Sequence, residues 1–200
     1  MQKRTLYLLL LLYLLPGAGC RSDIETVEAP NEFGQLERFE RRKKDFAKEG
    51  LYQRFHKNGH LLEEARYAND SLHGERKFFF QNGKTERIEH HRKGVFHGKY
   101  QQFYETGQIQ LEQEFNNGIL EGIGTAWYPN GRIKEKVTFK NNEENGPFEE
   151  WYENGNIKAT GNYLDGDNEH GTLKLYDTLG QLERVLECQR GACRTTWVRE

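Results

Sequence analysis

Two glycine series run through the chain in step: Gly50, Gly74, Gly98, Gly122, Gly146, Gly171, and Gly59, Gly83, Gly107, Gly131, Gly155, Gly180. Neighbours in each series lie 24 residues apart, with one step of 25 near the end. A constant spacing of this size means that one supersecondary unit is copied and stacked, each copy covering the next. The spacing therefore limits the chain to a repeat array before any single residue is interpreted. Between the two glycines of a unit lies an aromatic pair or near-pair: Phe55-His56, Phe79-Phe80, Phe103-Tyr104, Trp127-Tyr128, Trp151-Tyr152, Tyr176-Asp177. An apolar residue returns two positions after the second glycine (Leu61, Ile109, Ile133, Ile157, Leu182), with Thr85 the exception. Tyr67, Phe115, Phe139 and Tyr163 close four units, and His91 and Cys188 hold that place in two others.

The unit reads as a β-hairpin. Asn58-Gly59, Asn82-Gly83, Asn130-Gly131 and Asn154-Gly155 are dipeptides suited to a type I′ turn, which needs positive φ at both central residues. Thr106-Gly107 and Leu179-Gly180 are weaker forms. A two-residue turn at Thr106-Gly107 would set Tyr104 opposite Ile109, Gln102 opposite Leu111 and Gly98 opposite Phe115. The same register puts Gly122 opposite Phe139 and Gly146 opposite Tyr163, each glycine covered by a ring. Phe103 would then neighbour Gln110, and Trp127 would neighbour Lys134. A helix fails on spacing, because apolar positions do not recur at three and four. Asn69-Asp70, Lys93-Gly94, Asn117-Gly118, Asn141-Asn142 and Asp165-Gly166, at the unit boundaries, read as looser loops. The chain is 35% hydrophobic, low for one globular core and suited to a single sheet with much solvated surface. The expectation is an all-β fold: an elongated single antiparallel sheet of stacked hairpins. About fourteen strands would make a ribbon on the order of 60 Å long.

Residues 1–19 read as a signal peptide. Lys3 and Arg4 precede the apolar run Thr5 to Leu15, which is shorter than the about 20 residues a membrane span needs. Pro16-Gly17-Ala18-Gly19-Cys20 resembles a lipoprotein processing site, with Cys20 lipidated and Gly17 where such sites usually carry Leu. Ordinary cleavage after Gly19 is the alternative. Residues 20–30 then form the lipidated cysteine and a flexible tether, and 31–49 a partial N-terminal repeat or cap, in which Phe33-Gly34-Gln35-Leu36 echoes Leu179-Gly180-Gln181-Leu182. Its basic run Arg41-Arg42-Lys43-Lys44 is a solvated edge or an anion site, and a short helix through Leu36, Phe39 and Phe46 competes with strand there. Residues 50–194 hold six units, and 195–200 a capping strand. Cys188 and Cys193 flank one inter-unit loop and could pair across it; two free thiols are the alternative.

The stretch Glu121-Gly122-Ile123-Gly124-Thr125-Ala126-Trp127-Tyr128-Pro129-Asn130-Gly131 resembles a MORN repeat in its longer bacterial variant form. His73-Gly74, His97-Gly98 and His170-Gly171 match the His-Gly step of that family. The similarity spans nearly the whole chain from about residue 31, although only Gly122 and Gly124 keep the Gly-x-Gly pair. The resemblance implies an open sheet of stacked hairpins acting as a scaffold or binding surface, with some relatives labelled toxin–antitoxin.

Chemistry-bearing patterns are few. No phosphate-binding loop, His-Glu-x-x-His or Gly-x-Ser-x-Gly occurs, and the units leave no second domain. His73, His97, His90 and His91 read as repeat residues rather than metal ligands. Asp165-Gly166-Asp167-Asn168-Glu169 lacks the glycine and distant Glu of a calcium loop. The adjacent pairs Glu63-Glu64, Glu143-Glu144 and Glu149-Glu150 point apart in strands and suit solvated faces. The expectation is a non-enzymatic protein with no metal, no cofactor and no nucleic-acid partner. It would be lipid-anchored in a bacterial cell envelope, on the periplasmic or surface side. Its candidate binding face is Phe79, Phe103, Tyr104, Trp127, Tyr128, Trp151 and Tyr152, turned to a protein or glycan; an antitoxin or immunity role is the alternative.

Overall fold

The computed structural model describes residues 23–200. It is a single antiparallel sheet of 16 strands and, among the described residues, contains no helix. The first four strands are β1 (Ile24–Pro30), β2 (Leu36–Arg42), β3 (Lys48–Phe55) and β4 (Leu61–Ala68). Next come β5 (Ser71–Phe79), β6 (Thr85–Arg92), β7 (Val95–Phe103) and β8 (Ile109–Asn116). The path continues through β9 (Ile119–Leu120), β10 (Gly122–Trp127), β11 (Ile133–Lys140) and β12 (Glu143–Trp151). It ends with β13 (Ile157–Tyr163), β14 (Gly171–Tyr176), β15 (Leu182–Gln189) and β16 (Ala192–Val198). Strands pair in chain order, with β9 a short piece set against β8 just before β10. Every connection is therefore a hairpin and nothing crosses over. The short helix considered near Leu36 is strand β2. Residues 24–30, expected within a tether, form β1, in unbroken register with β2 from Ile24↔Arg42 to Pro30↔Leu36. The alternation of polar and apolar residues in Thr26-Val27-Glu28-Ala29 was the overlooked strand signal.

The two kinds of turn are reversed from expectation. At the inter-unit boundaries Asn69-Asp70 (φ 50 and 60), Lys93-Gly94 (φ 52 and 80), Asn117-Gly118 (φ 51 and 83) and Asn141-Asn142 (φ 53 and 69) carry the double positive φ of a tight I′ turn. These were read as looser loops. At the Asn-Gly sites only the glycine is left-handed, as at Gly131 (φ 83). Gly131 N–H donates to Tyr128 O at 2.9 Å and Tyr128 N–H to Arg132 O at 2.8 Å. That is a type I turn followed by a glycine bulge, a longer hairpin loop than the two-residue form. The asparagine serves another purpose here. Its side-chain oxygen accepts the amide two residues on, as in Asn130 Oδ1 from Arg132 N–H at 3.0 Å. Its amide group reaches the next unit, as in Asn82 Nδ2 to Glu105 O at 3.1 Å and Asn154 Nδ2 to Thr178 O at 2.7 Å.

The bulge moves the register by one residue beside each turn. Gly98↔Phe115 and Gln102↔Leu111 stand as expected, but Ile109 faces Phe103 and not Tyr104. Likewise Ile133, not Lys134, faces Trp127. Gly122↔Phe139 and Gly146↔Tyr163 hold.

One face of the sheet is packed. In the second half its buried core is Val137, Phe148, Ala159, Leu173 and Cys188, with Phe139, Tyr163, Leu175 and Leu186 against it. Phe148 and Tyr163 stack at 4.2 Å between centroids. Gly161 is required for this packing, since a Cβ there would lie 2.7 Å from Phe148 Cε1. In the first half the same face buries Tyr52, Ala65, Glu63, Glu89 and His91. Glu63, expected on a solvated face, is 3% exposed and is held by Arg54 at 2.7 Å and Arg76 at 2.7 Å. Cys188 and Cys193 form a disulfide joining β15 to β16. The basic run at the N-terminal end is largely neutralised: Arg41 pairs with Glu25 at 2.8 Å, and Arg42 with Asp45 and Glu49 at 3.0 and 2.9 Å.

Candidate functional site

Side chains alternate across a strand, so the residue before each glycine-bulge turn points away from the packed face. Ala126 and Glu150 share the packed face with Val137 and Ala159, which puts Trp127 and Trp151 on the other side. The repeat then aligns Phe55, Phe79, Phe103, Trp127, Trp151 and Tyr176, facing Leu61, Thr85, Ile109, Ile133, Ile157 and Leu182 respectively. Neighbouring rings are two strands apart, about 10 Å. All six are half-buried. Phe55 and Tyr176 were absent from the expected binding face, though their place in the repeat was a sufficient signal.

The tyrosines of that expected face do different work. Tyr104 Oη donates to Trp127 O at 2.7 Å, Tyr128 Oη to Trp151 O at 2.8 Å, and Tyr152 Oη to Tyr176 O at 2.8 Å. Each hydroxyl reaches one unit ahead and bonds the backbone of the ring-bearing residue there. Tyr104, Tyr128 and Tyr152 therefore position the row by tying successive units together. Phe79, Phe103, Trp127 and Trp151 form the row itself.

Charges around the row come in cross-strand pairs. Lys99 meets Glu112 at 3.1 Å, whose other oxygen takes a bond from Gln101 at 2.7 Å. Lys136 lies over the Trp151 ring at 5.8 Å. On the opposite, packed face Lys158 binds Glu150 at 2.6 Å, and this bond holds the Lys158 ammonium above its usual range. Glu135 faces Glu150 directly across β11 and β12. Burial, then the Glu150 charge, raises the Glu135 carboxyl. Beside the row, Ile123, Lys136, Thr138, Pro147 and Glu149 line an open depression of about 280 Å³. Such a surface, rings flanked by amides and paired charges, can stack on flat or apolar groups and hydrogen-bond around them.

Among the described residues no group of His, Cys, Asp and Glu is arranged to hold a metal ion. His90 and His91 point to opposite faces as expected: His91 is buried against Phe96 at 4.5 Å between centroids, and His90 is half-exposed. Cys20 and residues 1–19 lie outside the described residues.

The MORN repeat variant model matches residues 48–69, 72–93, 96–117, 120–141 and 144–165, more than half of the chain. The chain belongs to the MORN repeat variant family. Successive matches meet at the tight I′ turns Asn69-Asp70, Lys93-Gly94, Asn117-Gly118 and Asn141-Asn142, so the family's unit is the hairpin centred on the glycine-bulge turn. The sixth MORN-like unit, from Gly171, lies beyond the matches. MORN repeats are non-catalytic repeats that bind proteins and membranes, and the open sheet is compatible with a scaffold. No curated protein matches the chain.

Proposed function

We propose that this MORN-repeat protein is a non-enzymatic interaction scaffold of a bacterial cell envelope, held to a membrane by lipid on Cys20. The face bearing Phe55, Phe79, Phe103, Trp127, Trp151 and Tyr176 receives a protein or glycan partner. The observation that carries the reading is the position of the row. Six rings, one per unit, stand on the side opposite the packed core, half-exposed and held in line by tyrosine hydroxyls. Contiguous apolar surface of this kind marks binding faces in soluble proteins. The anchoring part rests on residues 1–20 alone, whose charged start, apolar run and terminal Cys fit an exported lipoprotein.

The test is affinity capture of the full-length protein from its own cells, followed by mass spectrometry. A defined partner should be retained and then lost when Phe103, Trp127 or Trp151 is changed singly to Gln, with circular dichroism unchanged. Undiminished capture by all three variants would reject the row as the binding face. The same spectra read the mass of the N-terminal peptide, and an unacylated Cys20 rejects the anchor. Capture of a toxic neighbour would favour an antitoxin role.

A further inference from the structure

An open sheet has two outer strands, and here they differ. Strand β1 is an acidic edge: Asp23 to Glu32 contains four acids and no base, and the strand ends in Pro30, which has no N–H to offer. Glu25 and Glu28 are already bound by Arg41 and Arg38. Strand β16 is the reverse. All seven of its residues are exposed. From Cys188 to Arg199 the chain has three arginines and no acid, although the whole protein carries a formal charge of −2. Arg199 is engaged by Asp177 at 2.6 Å and Arg190 lies 3.8 Å from Asp165. Arg194 faces Glu187 across the ladder, and no ion pair forms between them. Trp197 and Val198 stand 44% and 53% exposed beside it.

The backbone of this edge is aimed outward. Arg190-Gly191 (φ 50 and 79) is a tight two-residue turn, so the flanking Gln189↔Ala192 pair exchanges hydrogen bonds. Alternation along an antiparallel ladder then makes Cys188↔Cys193 and Leu186↔Thr195 non-hydrogen-bonded pairs. The N–H and C=O groups of Cys193 and Thr195 therefore point away from β15 into solvent. The Cys188–Cys193 disulfide holds this strand in place, so little conformational freedom is left to lose on binding.

We propose that β16 is a second docking site, which adds an extended acidic segment of a partner protein to the sheet as one more strand. Cys193 and Thr195 supply ladder bonds, Arg194 receives a carboxylate, and Trp197 gives apolar contact. Main-chain pairing provides adhesion and side chains provide selection, as in other strand-addition sites. The cationic strip favours an acidic partner over the neutral or basic strands that would otherwise pair with any open edge. The site stands apart from the aromatic row and does not depend on it.

The test uses the full-length protein in mild detergent, titrated with a fluorescein-labelled, capped peptide of alternating Glu and Val. The expected result is a rise in anisotropy that is absent for the same peptide N-methylated on alternate amides. Arg194→Glu should weaken binding about tenfold, the size of one charge-assisted hydrogen bond. Thr195→Pro, which removes an outward N–H and no ladder bond, should abolish binding. Reduction of Cys188–Cys193 should weaken it. Should Thr195→Pro disturb folding, Arg194→Glu and the N-methylated peptide still decide. No rise at millimolar peptide overturns the proposal, as does equal binding of the N-methylated form. Concentration-dependent self-association through β16 without peptide binding overturns it in favour of a second copy as the occupant.

Discussion

The two halves of the packed face fill one frame with opposite chemistry. Tyr52, Arg76, Tyr100, Gly124 and Phe148 recur at one repeat position, and Ala65, Glu89, Gln113, Val137 and Gly161 face them. In the second half the position is filled by Phe148 stacked on Tyr163 over Gly161. In the first half Tyr52 and Tyr100 hold it in two units, and in the unit between them Arg76 fills it with ions. Arg76 bonds Glu63 at 2.7 Å and lies 3.6 Å from Glu89, while Arg76 and Arg87 lie 4.5 and 4.1 Å from the centroid of the Phe78 ring. Burial raises the Glu89 carboxyl and lowers the His91 imidazole. The glycine-bulge turns and the ladder within each hairpin are the same on both sides. Each unit meets only its neighbours, so a pair can be exchanged for another without disturbing distant units. The backbone holds the register, and the contents of the face are free to drift from oil to salt.

Four substitutions probe that contrast. Phe148→Ala should have the largest effect, a loss of about 3–5 kcal/mol from removing a buried ring that cannot be refilled. The urea midpoint measures it, and a loss under about 1 kcal/mol would mean the second half is not organised round that ring. Glu63→Gln should follow, at about 2–3 kcal/mol. It leaves two guanidiniums facing without their carboxylate, softened because both arginines reach solvent. Added salt should recover part of this loss and none of the Phe148 loss, which sharpens the distinction between the halves.

Tyr128→Phe removes one hydroxyl bond between units and should reduce stability by about 1 kcal/mol. The effect should show as faster amide exchange at the ends of β10 and β12. The smallest effect is expected from His91→Phe, and it depends on pH. The folded His91 imidazole titrates below its unfolded value, so the unfolded chain binds more protons between the two. Stability should then be full above pH about 6.5 and fall as pH drops through that window. His91→Phe, matching Phe115 and Phe139 in place, should flatten this acid slope. Glu89 runs the other way: its raised carboxyl makes stability fall as pH rises above about 4.5 toward the folded value. Thermal melts at pH 7.5 and 5.5 separate the two. An unchanged slope in the variant would remove His91 as its source.

Much of this was legible in the chain. The glycine spacing gave the unit, and the closing rings gave the pairing of Gly98 with Phe115, because a periodic pattern carries long-range information in local residues. The turn types were not legible from dipeptides. Asn-Gly satisfies a type I′ turn and equally a type I turn with a glycine bulge, and the choice depends on the neighbouring unit, whose carbonyl at Glu105 or Thr178 accepts the asparagine amide. Likewise Tyr104, Tyr128 and Tyr152 looked equivalent to the rings beside them. Only contact with the next hairpin shows that their hydroxyls bond backbone.

By itself the sequence determined the all-β class, the hairpin unit, the antiparallel order and the family, since each follows from the period and composition of a short segment. The tertiary structure decided which ring of each aromatic pair is a tie and which is surface. It also decided that Glu63 is buried between arginines, that residues 24–30 are an edge strand, and that the strand at the other edge, β16, is exposed along its whole length. Those outcomes turn on what lies two strands away, a distance set by stacking rather than by the order of residues along the chain.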